Sequence, residues 1–175
     1  MGNVDLNFQP SVDVFDANVV IGRRHNRRVR VDTAQETIEV MDQSGVDKAL
    51  TYSAHAADFD SQDGNSLLMD MIQNQPRLVP QFVFNPAFDD FGSFTSQITS
   101  LGIRSLRILP KLHNYPFCDW MIKSWIDWIT TEEIPIWVAA EDIDPSTFHD
   151  MISNHPNTKI VLCEVHYRHA PWALP

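Results

Sequence analysis

The sequence has 175 residues, of which 43% are hydrophobic and 21% are charged. This composition excludes disordered and collagen-like architectures, and the length suits one domain with a single core. Thirteen lysines and arginines against 23 aspartates and glutamates give a formal net charge of -10, so we expect no nucleic acid partner.

The sequence also lacks the patterns typical of membrane, nucleotide-binding and secreted proteins. No stretch approaches the roughly 20 apolar residues of a membrane-spanning helix, so we expect no membrane partner. None of the six glycines forms a GxGxxG or GxxxxGK[ST] nucleotide-binding pattern. Residues 1–10 are polar and lack the apolar run of a secretory leader, which predicts a cytoplasmic protein. Cys118 and Cys163 lie in apolar surroundings, and we expect both to be reduced and buried.

Short apolar runs alternate with amphipathic segments along the chain, which is typical of repeated βα units. Val, Ile, Leu and Phe dominate the runs with little polar alternation, as in parallel strands that are covered on both faces. The predicted strands are residues 12–17, 48–53, 78–84, 103–109, 134–140 and 159–165. Such units build either a barrel or a doubly wound sheet, and the order of the strands distinguishes the two.

Helix signals fill the intervals between these strands. Thr33 and Glu36 predict a capping box ahead of the first helix, and Gly45 predicts its left-handed end. The remaining helices are predicted to open at Ser61 or Asp63, to cover 91–100, to cover the tryptophan-rich stretch 120–129, and to open with Asp144 as N-cap before Pro145.

Each predicted strand ends in polar residues, and a parallel α/β fold brings such residues to one face, where the site lies. They are Asp16, Asn18, His55, Asp58, Asn85, Lys111, His113, Glu141, Asp142, Glu164, His166, Arg168 and His169. We predict that this set lines a pocket. The alternative is that its members cap helices and satisfy the backbone of loops.

An arginine cluster follows the first strand. It comprises Arg23, Arg24, Arg27, Arg28 and Arg30. Beside the mouth of a site it could bind a carboxylate or a phosphate. The preferred interpretation is a solvated loop that pairs with Asp32, Asp58 and Asp60.

Five segments carry a family resemblance, beginning with Phe-Asp-Ala-Asn-Val-Val-Ile-Gly at 15–22 and continuing at 41–50, 102–110, 134–138 and 159–162. In these segments, and in the order of its elements, the chain resembles the amidohydrolase-related branch of the metal-dependent hydrolase superfamily. The resemblance spans nearly the whole chain and implies an α/β fold of the (β/α)8 TIM-barrel type. It also implies hydrolysis of a C–N bond, or decarboxylation, of a small anionic or aromatic substrate.

The positions at which the resemblance implies metal ligands are changed. Asn18 and Val20 stand in place of a His-x-His pair, and Ala139 stands in place of the fifth-strand histidine. Glu164 or, with a slip of two residues, His166 stands in place of the sixth-strand histidine. An amide is a poor zinc ligand and a valine cannot bind a metal, so the usual site is lost.

Two kinds of site remain open. Carboxylates and imidazoles at Asp16, Glu141, Glu164 and His166 could bind a divalent metal such as Zn or Mn. A metal-free pocket is at least as well supported, with His55 or His113 as the general base and Lys111 or an arginine holding an anionic substrate.

The length itself needs an explanation. A closed eight-stranded barrel typically takes about 250 residues, whereas six βα units already fill the 175 residues. Open sheet edges would then invite association. We expect that the chain is part of a longer one, which is the preferred explanation, or that a homo-oligomer covers the edges.

These considerations predict a single, partial amidohydrolase-like barrel domain over residues 1–175. The predicted catalytic residues are His55, His113, Glu164 and His166, and the predicted substrate-binding residues are Asp16, Asn18, Asn85, Lys111, Glu141 and Arg168. No metal ligand is assigned. The alternative, motivated by the missing histidines, is a non-catalytic barrel that serves as a binding or assembly module.

Overall fold

The computed structural model of the protein describes residues 10–25 and 31–173. The chain divides into two compact units, Met1–Gln81 (unit 1) and Phe82–Pro175 (unit 2). Unit 1 contains, in chain order, β1 (Phe15–Ile21), α1 (Ala34–Ser44), β2 (Lys48–Ser53), α2 (Ala54–Asp58), α3 (Ser61–Ile72) and β3 (Leu78–Pro80).

Unit 2 continues the alternation of strands and helices. Its elements are β4 (Phe82–Val83), α4 (Phe91–Leu101), β5 (Leu106–Arg107), α5 (Asp119–Thr131), β6 (Ile136–Ala139), α6 (Pro145–Asn154), β7 (Ile160–Cys163) and α7 (Ala170–Ala173). Two short 3-10 helices lie at Ala140–Asp142 and Tyr167–His169. Across the described residues, no helix is long and apolar enough to cross a membrane.

All strand pairs are parallel, and both sheets keep the strands in chain order. Unit 1 has the order β1-β2-β3 and unit 2 has the order β4-β5-β6-β7. A doubly wound sheet reverses its strand order at a switch point, and neither sheet does so. The predicted parallel α/β class is confirmed, and the strand order is that of a barrel in each unit.

The core of unit 2 lies between its sheet and the helices. Leu106 and Ile136 from neighbouring strands are almost fully buried, as is Ile126 on α5. Trp125 stacks on Phe84 with 4.7 Å between ring centroids. This packing fixes the helix-covered face of the sheet and leaves the carboxyl ends of the strands to carry polar residues.

Local capping signals are confirmed. The Thr33 side chain accepts a hydrogen bond from the Glu36 backbone at 3.2 Å, and the Glu36 carboxylate accepts one from the Thr33 backbone. Gly45 closes α1 in the left-handed conformation with φ of 66°. Asp144 caps α6, and Pro145 is its first residue, as predicted.

Several predicted boundaries are corrected. Strand 48–53 is confirmed, but the first strand is Phe15–Ile21 rather than 12–17, because the β-branched run Val19–Val20–Ile21 pairs with β2. Asp16 and Asn18, predicted just inside and just beyond the end of the strand, therefore lie near its start.

The remaining strands are shorter than predicted or are divided. The run 78–84 becomes two strands, because Leu78–Pro80 pairs with β2 whereas Phe82–Val83 pairs with β5. Strands 103–109, 134–140 and 159–165 shorten to β5, β6 and β7.

The short helix α2 was not predicted, and it begins directly after β2. The Ser53 hydroxyl accepts hydrogen bonds from the backbone of His55 at 3.1 Å and of Ala56 at 3.3 Å, and so caps this short helix. The following helix, α3, begins at Ser61 as one of the two predicted starts, with Asp60 as its N-cap. His55 is thus held in a helix rather than in a loop.

Candidate functional site

Polar side chains gather after the carboxyl ends of the strands in both units, and each unit is described by itself. In unit 1 a pocket of about 450 Å³ opens there. Gly22 and Ser53 line it from the ends of β1 and β2, Thr33 lines it from the start of α1, and Leu67 and Met71 line it from α3. This volume lies within the range of small-molecule pockets.

His55, a predicted catalytic residue, lines this unit 1 pocket. Its ring is half-buried and stands 5.1 Å from the Phe59 ring, centroid to centroid. No hydrogen bond reaches its ring nitrogens from the residues that the structure describes. Within the described part of the chain, both nitrogens of this imidazole at the pocket wall are available to a ligand.

The described part of the arginine cluster forms ion pairs with two of the predicted aspartates. Arg23 lies 2.6 Å from Asp32, and the hydrogen bond between them lowers the pKa of the Asp32 carboxyl and raises that of Arg23. Arg24 donates to the Tyr52 hydroxyl at 3.0 Å and approaches the Asp58 carboxylate at 3.8 Å.

His25 adds to the arginine cluster by placing its Nδ1 3.1 Å from the same buried Asp58 side chain. Asp60, the third predicted partner, instead caps α3 through a hydrogen bond from Asp63 at 2.8 Å. Arg27, Arg28 and Arg30 lie outside the described residues. The solvated, paired loop is thus the better interpretation of Arg23. Arg24 is paired with Asp58 as predicted, but its side chain is only 17% exposed, which corrects the prediction that it is solvated.

Asp16 and Asn18, predicted to bind substrate, are exposed on β1. The Asn18 backbone donates to the Asp16 carboxylate at 3.1 Å. Neither residue lines the unit 1 pocket. Their predicted role stays a prediction.

In unit 2, Asp142 follows β6 in a short 3-10 helix and is half-buried. The pKa of its carboxyl is raised, chiefly by burial and also by the Glu164 carboxylate, although the positive charges of Lys111 and Arg107 act to lower it. A carboxyl group in such surroundings is suited to proton transfer. The sequence placed Asp142 among the strand-end residues without assigning it a role.

Arg107 on β5 is the largest fully buried side chain of the described residues. Its guanidinium lies 3.6 Å from the Cys163 sulfur and 5.9 Å from the centroid of the Trp137 ring. Burial raises the pKa of the Cys163 thiol, so that residue is a buried thiol, as predicted. Cys118 is also a free thiol but is only half-buried, which corrects the prediction of its burial.

Tyr115 is a further buried polar residue of unit 2 to which the sequence analysis gave no role. Its hydroxyl oxygen is buried and makes no hydrogen bond of normal geometry within the described residues. Burial raises the pKa of the phenol far above its ordinary value, and the Asp142 charge raises it further. The phenol therefore stays protonated and can act as a donor. His113, a predicted catalytic residue, is half-buried with its ring centroid 6.4 Å from that of Tyr115.

Glu164, a predicted catalytic residue, directly follows β7 and is exposed. Its backbone has a φ of 55°, which is uncommon for a residue other than glycine. Strained conformations of this kind cluster at functional sites. Its charge acts on both Asp142 and Cys163.

Four other strand-end residues of unit 2 contact one another. Glu141 forms an ion pair with Arg168 and lies 3.8 Å from the His166 ring. The His169 ring accepts the His166 backbone N–H at 3.0 Å and approaches Arg168 at 3.3 Å. Burial lowers the pKa of His169, and the charges of Arg168 and His166 lower it further, so the ring is neutral.

Asn85 and Lys111 complete the predicted set. The Asn85 side chain accepts from the Ala87 backbone at 3.1 Å, and its own backbone donates to Asp89 at 2.6 Å, so it shapes the loop after β4. Lys111 is exposed after β5 and lowers the pKa of Asp142. The structure thus brings Lys111, which was predicted to bind an anion, close enough to Asp142 to affect its pKa.

The residues present do not fit the metal that the amidohydrolase resemblance implies. Within the described ranges, no group of three or more His, Cys, Asp or Glu side chains is arranged to hold a metal ion. Asn18 and Val20 lie on β1, where an amide and a hydrocarbon cannot supply the histidine pair.

The structure is similar to the crystal structure of an uncharacterized TIM-barrel protein from Bordetella bronchiseptica, with a TM-score of 0.58 and 13% sequence identity. The similarity covers 74% of this chain and 50% of that one, so the chain spans about half the length of that protein. No protein-family model and no curated protein matches the sequence. The similarity confirms the predicted TIM-barrel-like α/β fold.

Proposed function

We propose that this chain is part of an amidohydrolase-like enzyme that performs acid–base chemistry on a small anionic substrate. The reaction would be hydrolysis of a C–N bond or decarboxylation, as the family resemblance implies. The observation that carries the proposal is Asp142, which is half-buried with a raised pKa beside Lys111. General acids and bases work best when their pKa moves toward the working pH.

Each charged group of this set has a distinct proposed role. Lys111 attracts the anionic group of the substrate, since it is exposed and carries a compact positive charge. Asp142 transfers the proton to the leaving nitrogen or to the carbon that loses carbon dioxide. Glu164 supplies the second carboxylate, and its charge favours the protonated form of Asp142.

The other predicted catalytic residues keep narrower roles in this proposal. His55 could exchange a proton with a ligand in the unit 1 pocket, where its ring nitrogens make no hydrogen bond within the described residues. His113 lies close to Tyr115 and could act with it. His166 contributes to the ion-paired group around Glu141, which makes it the weakest of the four as a free base.

The test is turnover of a panel of cyclic amides and aromatic acids by the full chain and two variants. Asp142→Asn should reduce kcat by about 100-fold or more, which is the usual contribution of a positioned acid or base. Asp144→Asn is the matched control, because Asp144 caps α6 only two residues away, and its kcat should stay at the wild-type value. Full activity of Asp142→Asn, or no turnover by the folded wild type, would contradict the proposal.

A non-catalytic binding module is the second candidate. It is favoured by the mutual pairing of Glu141, Arg168, His166 and His169, because residues satisfied by one another are not free to act on a substrate. Binding of an aromatic acid by wild-type protein, without turnover of any panel member, would support this candidate instead.

Three expectations from the sequence remain proposals. They are that residues 1–175 act as one partial barrel domain, that the protein is cytoplasmic, and that a second subunit covers open sheet edges. Separation by size at several protein concentrations would test the last of these.

A further inference from the structure

An apolar wall forms one side of the unit 1 pocket. Leu67 and Met71 lie four residues apart on α3 and therefore share one face of the helix. Phe59 stands near them with 65% of its surface exposed, and Leu67 is 44% exposed. Large apolar side chains that are exposed together in a concave region mark a binding site more often than single exposed residues do.

His55 lines the same pocket next to Phe59 and offers hydrogen bonds. Its ring is tilted by 38° against the Phe59 ring, and its position is fixed by α2, which Ser53 caps. An imidazole with no hydrogen bond from the described residues can give one hydrogen bond and accept one. A ligand that contacts Phe59 and Met71 would place a polar atom within reach of this ring.

Two charged side chains line the pocket among the residues that the structure describes, and they have opposite signs. Arg23 and Asp32 line the pocket and form an ion pair with each other at 2.6 Å. Each of these two side chains therefore neutralises the other, and an anionic ligand gains little from Arg23. This pocket contrasts with the acid–base group of unit 2, where Lys111 is exposed.

We propose that this pocket binds an uncharged aromatic molecule of one or two rings that carries a hydrogen-bonding N–H or O–H group. The ring lies against Phe59, Leu67 and the Met71 thioether, since sulfur and aromatic edges attract each other. The N–H or O–H group bonds to His55. This site uses residues of unit 1 alone and does not depend on the proposed acid–base function.

The test uses indole as the probe and the full chain labelled with ¹³C on its methionine methyl groups. Binding of indole should shift the Met71 methyl resonance by ring current and leave that of Met151, which is buried in unit 2, unchanged. Leu67→Ser should raise the Kd for indole about fivefold through loss of apolar contact. Leu101→Ser is the matched control, since Leu101 on α4 is 45% exposed and outside the pocket, and its Kd should equal that of the wild type.

A second comparison tests the hydrogen bond to His55. Replacing indole with 1-methylindole should weaken binding to the wild type about fivefold, since an N–H donor is lost. In the His55→Ala variant, the Kd values for indole and 1-methylindole should be nearly equal. Asp142→Asn should bind indole as the wild type does, so failure of the acid–base proposal would leave this result intact.

Three results would overturn the proposal. The first is an indole Kd that is the same in Leu67→Ser as in the wild type. The second is a Met71 resonance that does not move at saturating indole. The third is tighter binding of indole-3-acetate than of indole, because it would show that the site selects anions.

Discussion

Two glutamates hold the same left-handed backbone conformation in different settings. Glu133 has a φ of 54° and follows the C-terminus of α5, where left-handed residues are common. Glu164 has a φ of 55° and follows a strand, where no helix end explains it. This conformation costs a residue other than glycine roughly 1 to 2 kcal/mol. We interpret the presence of a glutamate at this strained position as a sign that its carboxylate is used.

Replacement of each glutamate with glycine separates stability from function. Glu164→Gly and Glu133→Gly should each raise the free energy of unfolding by roughly 1 kcal/mol, because glycine relieves the strained φ. The exposed ion pair of Glu133 with Lys159, at 3.6 Å, contributes little to offset this. Urea unfolding measures both changes. Only Glu164→Gly should lose turnover, and a fully active Glu164→Gly would remove that residue from the proposed mechanism.

The sequence could place site residues but could not say which were paired. Glu141 and Asp142 are adjacent after β6, and the short 3-10 helix turns one toward Arg168 while it half-buries the other. Which of them faces the basic side chain depends on an ion-pair partner 27 residues away. The burial of Arg107 could not be predicted, because an arginine inside an apolar run forms no motif of recognisable spacing.

At the scale of elements, α2 and α3 approach each other unusually closely at Gly64. A Cβ at this position would overlap the backbone of Ala56 on α2. This contact positions His55, because α2 carries that residue. The glycine is therefore required for space and not for an unusual φ.

Gly64→Ala should lower the free energy of unfolding by about 1 to 3 kcal/mol, since overpacking forces the backbone to shift. Gly92→Ala is the matched control on α4, where a Cβ would make only ordinary contact at 3.5 Å with Asp90. The control should be neutral or stabilising by about 0.5 to 1 kcal/mol. Thermal unfolding of the two variants measures the difference, and equal melting temperatures would show that α2 can move away freely.

Caps were predictable because their signals are local. Thr33 with Glu36, and Asp144 with Pro145, act within four residues of each other. Strand boundaries were less predictable, because an apolar run does not encode its pairing partner. The run 78–84 reads as one strand, yet its two parts pair with different neighbours.

For the whole molecule, the fold class was predictable from the sequence. Repeated βα units predicted a parallel α/β fold, and strand order within each sheet agrees with the TIM-barrel likeness. The chain spans about half of the similar barrel protein. That this chain has the activity of a whole barrel enzyme is therefore only proposed.

The net charge of -10 opposes the binding of any anionic substrate. The overall field of the molecule repels an anionic substrate, so recognition has to come from local cations such as Lys111. The same lysine lowers the pKa of Asp142. Substrate binding and proton affinity are thus linked through one side chain.

The most direct test of the central claim is an NMR titration of the Asp142 carboxyl carbon in the folded protein. The account predicts a pKa above the ordinary aspartate value, and a still higher one in Lys111→Met, because a neighbouring positive charge is removed. Asp144, whose pKa is lowered by hydrogen bonds from Ser146 and Thr147, serves as the internal control and should titrate below the ordinary value. A pKa of Asp142 at or below that of Asp144 would contradict the claim that this carboxyl group is held ready for proton transfer.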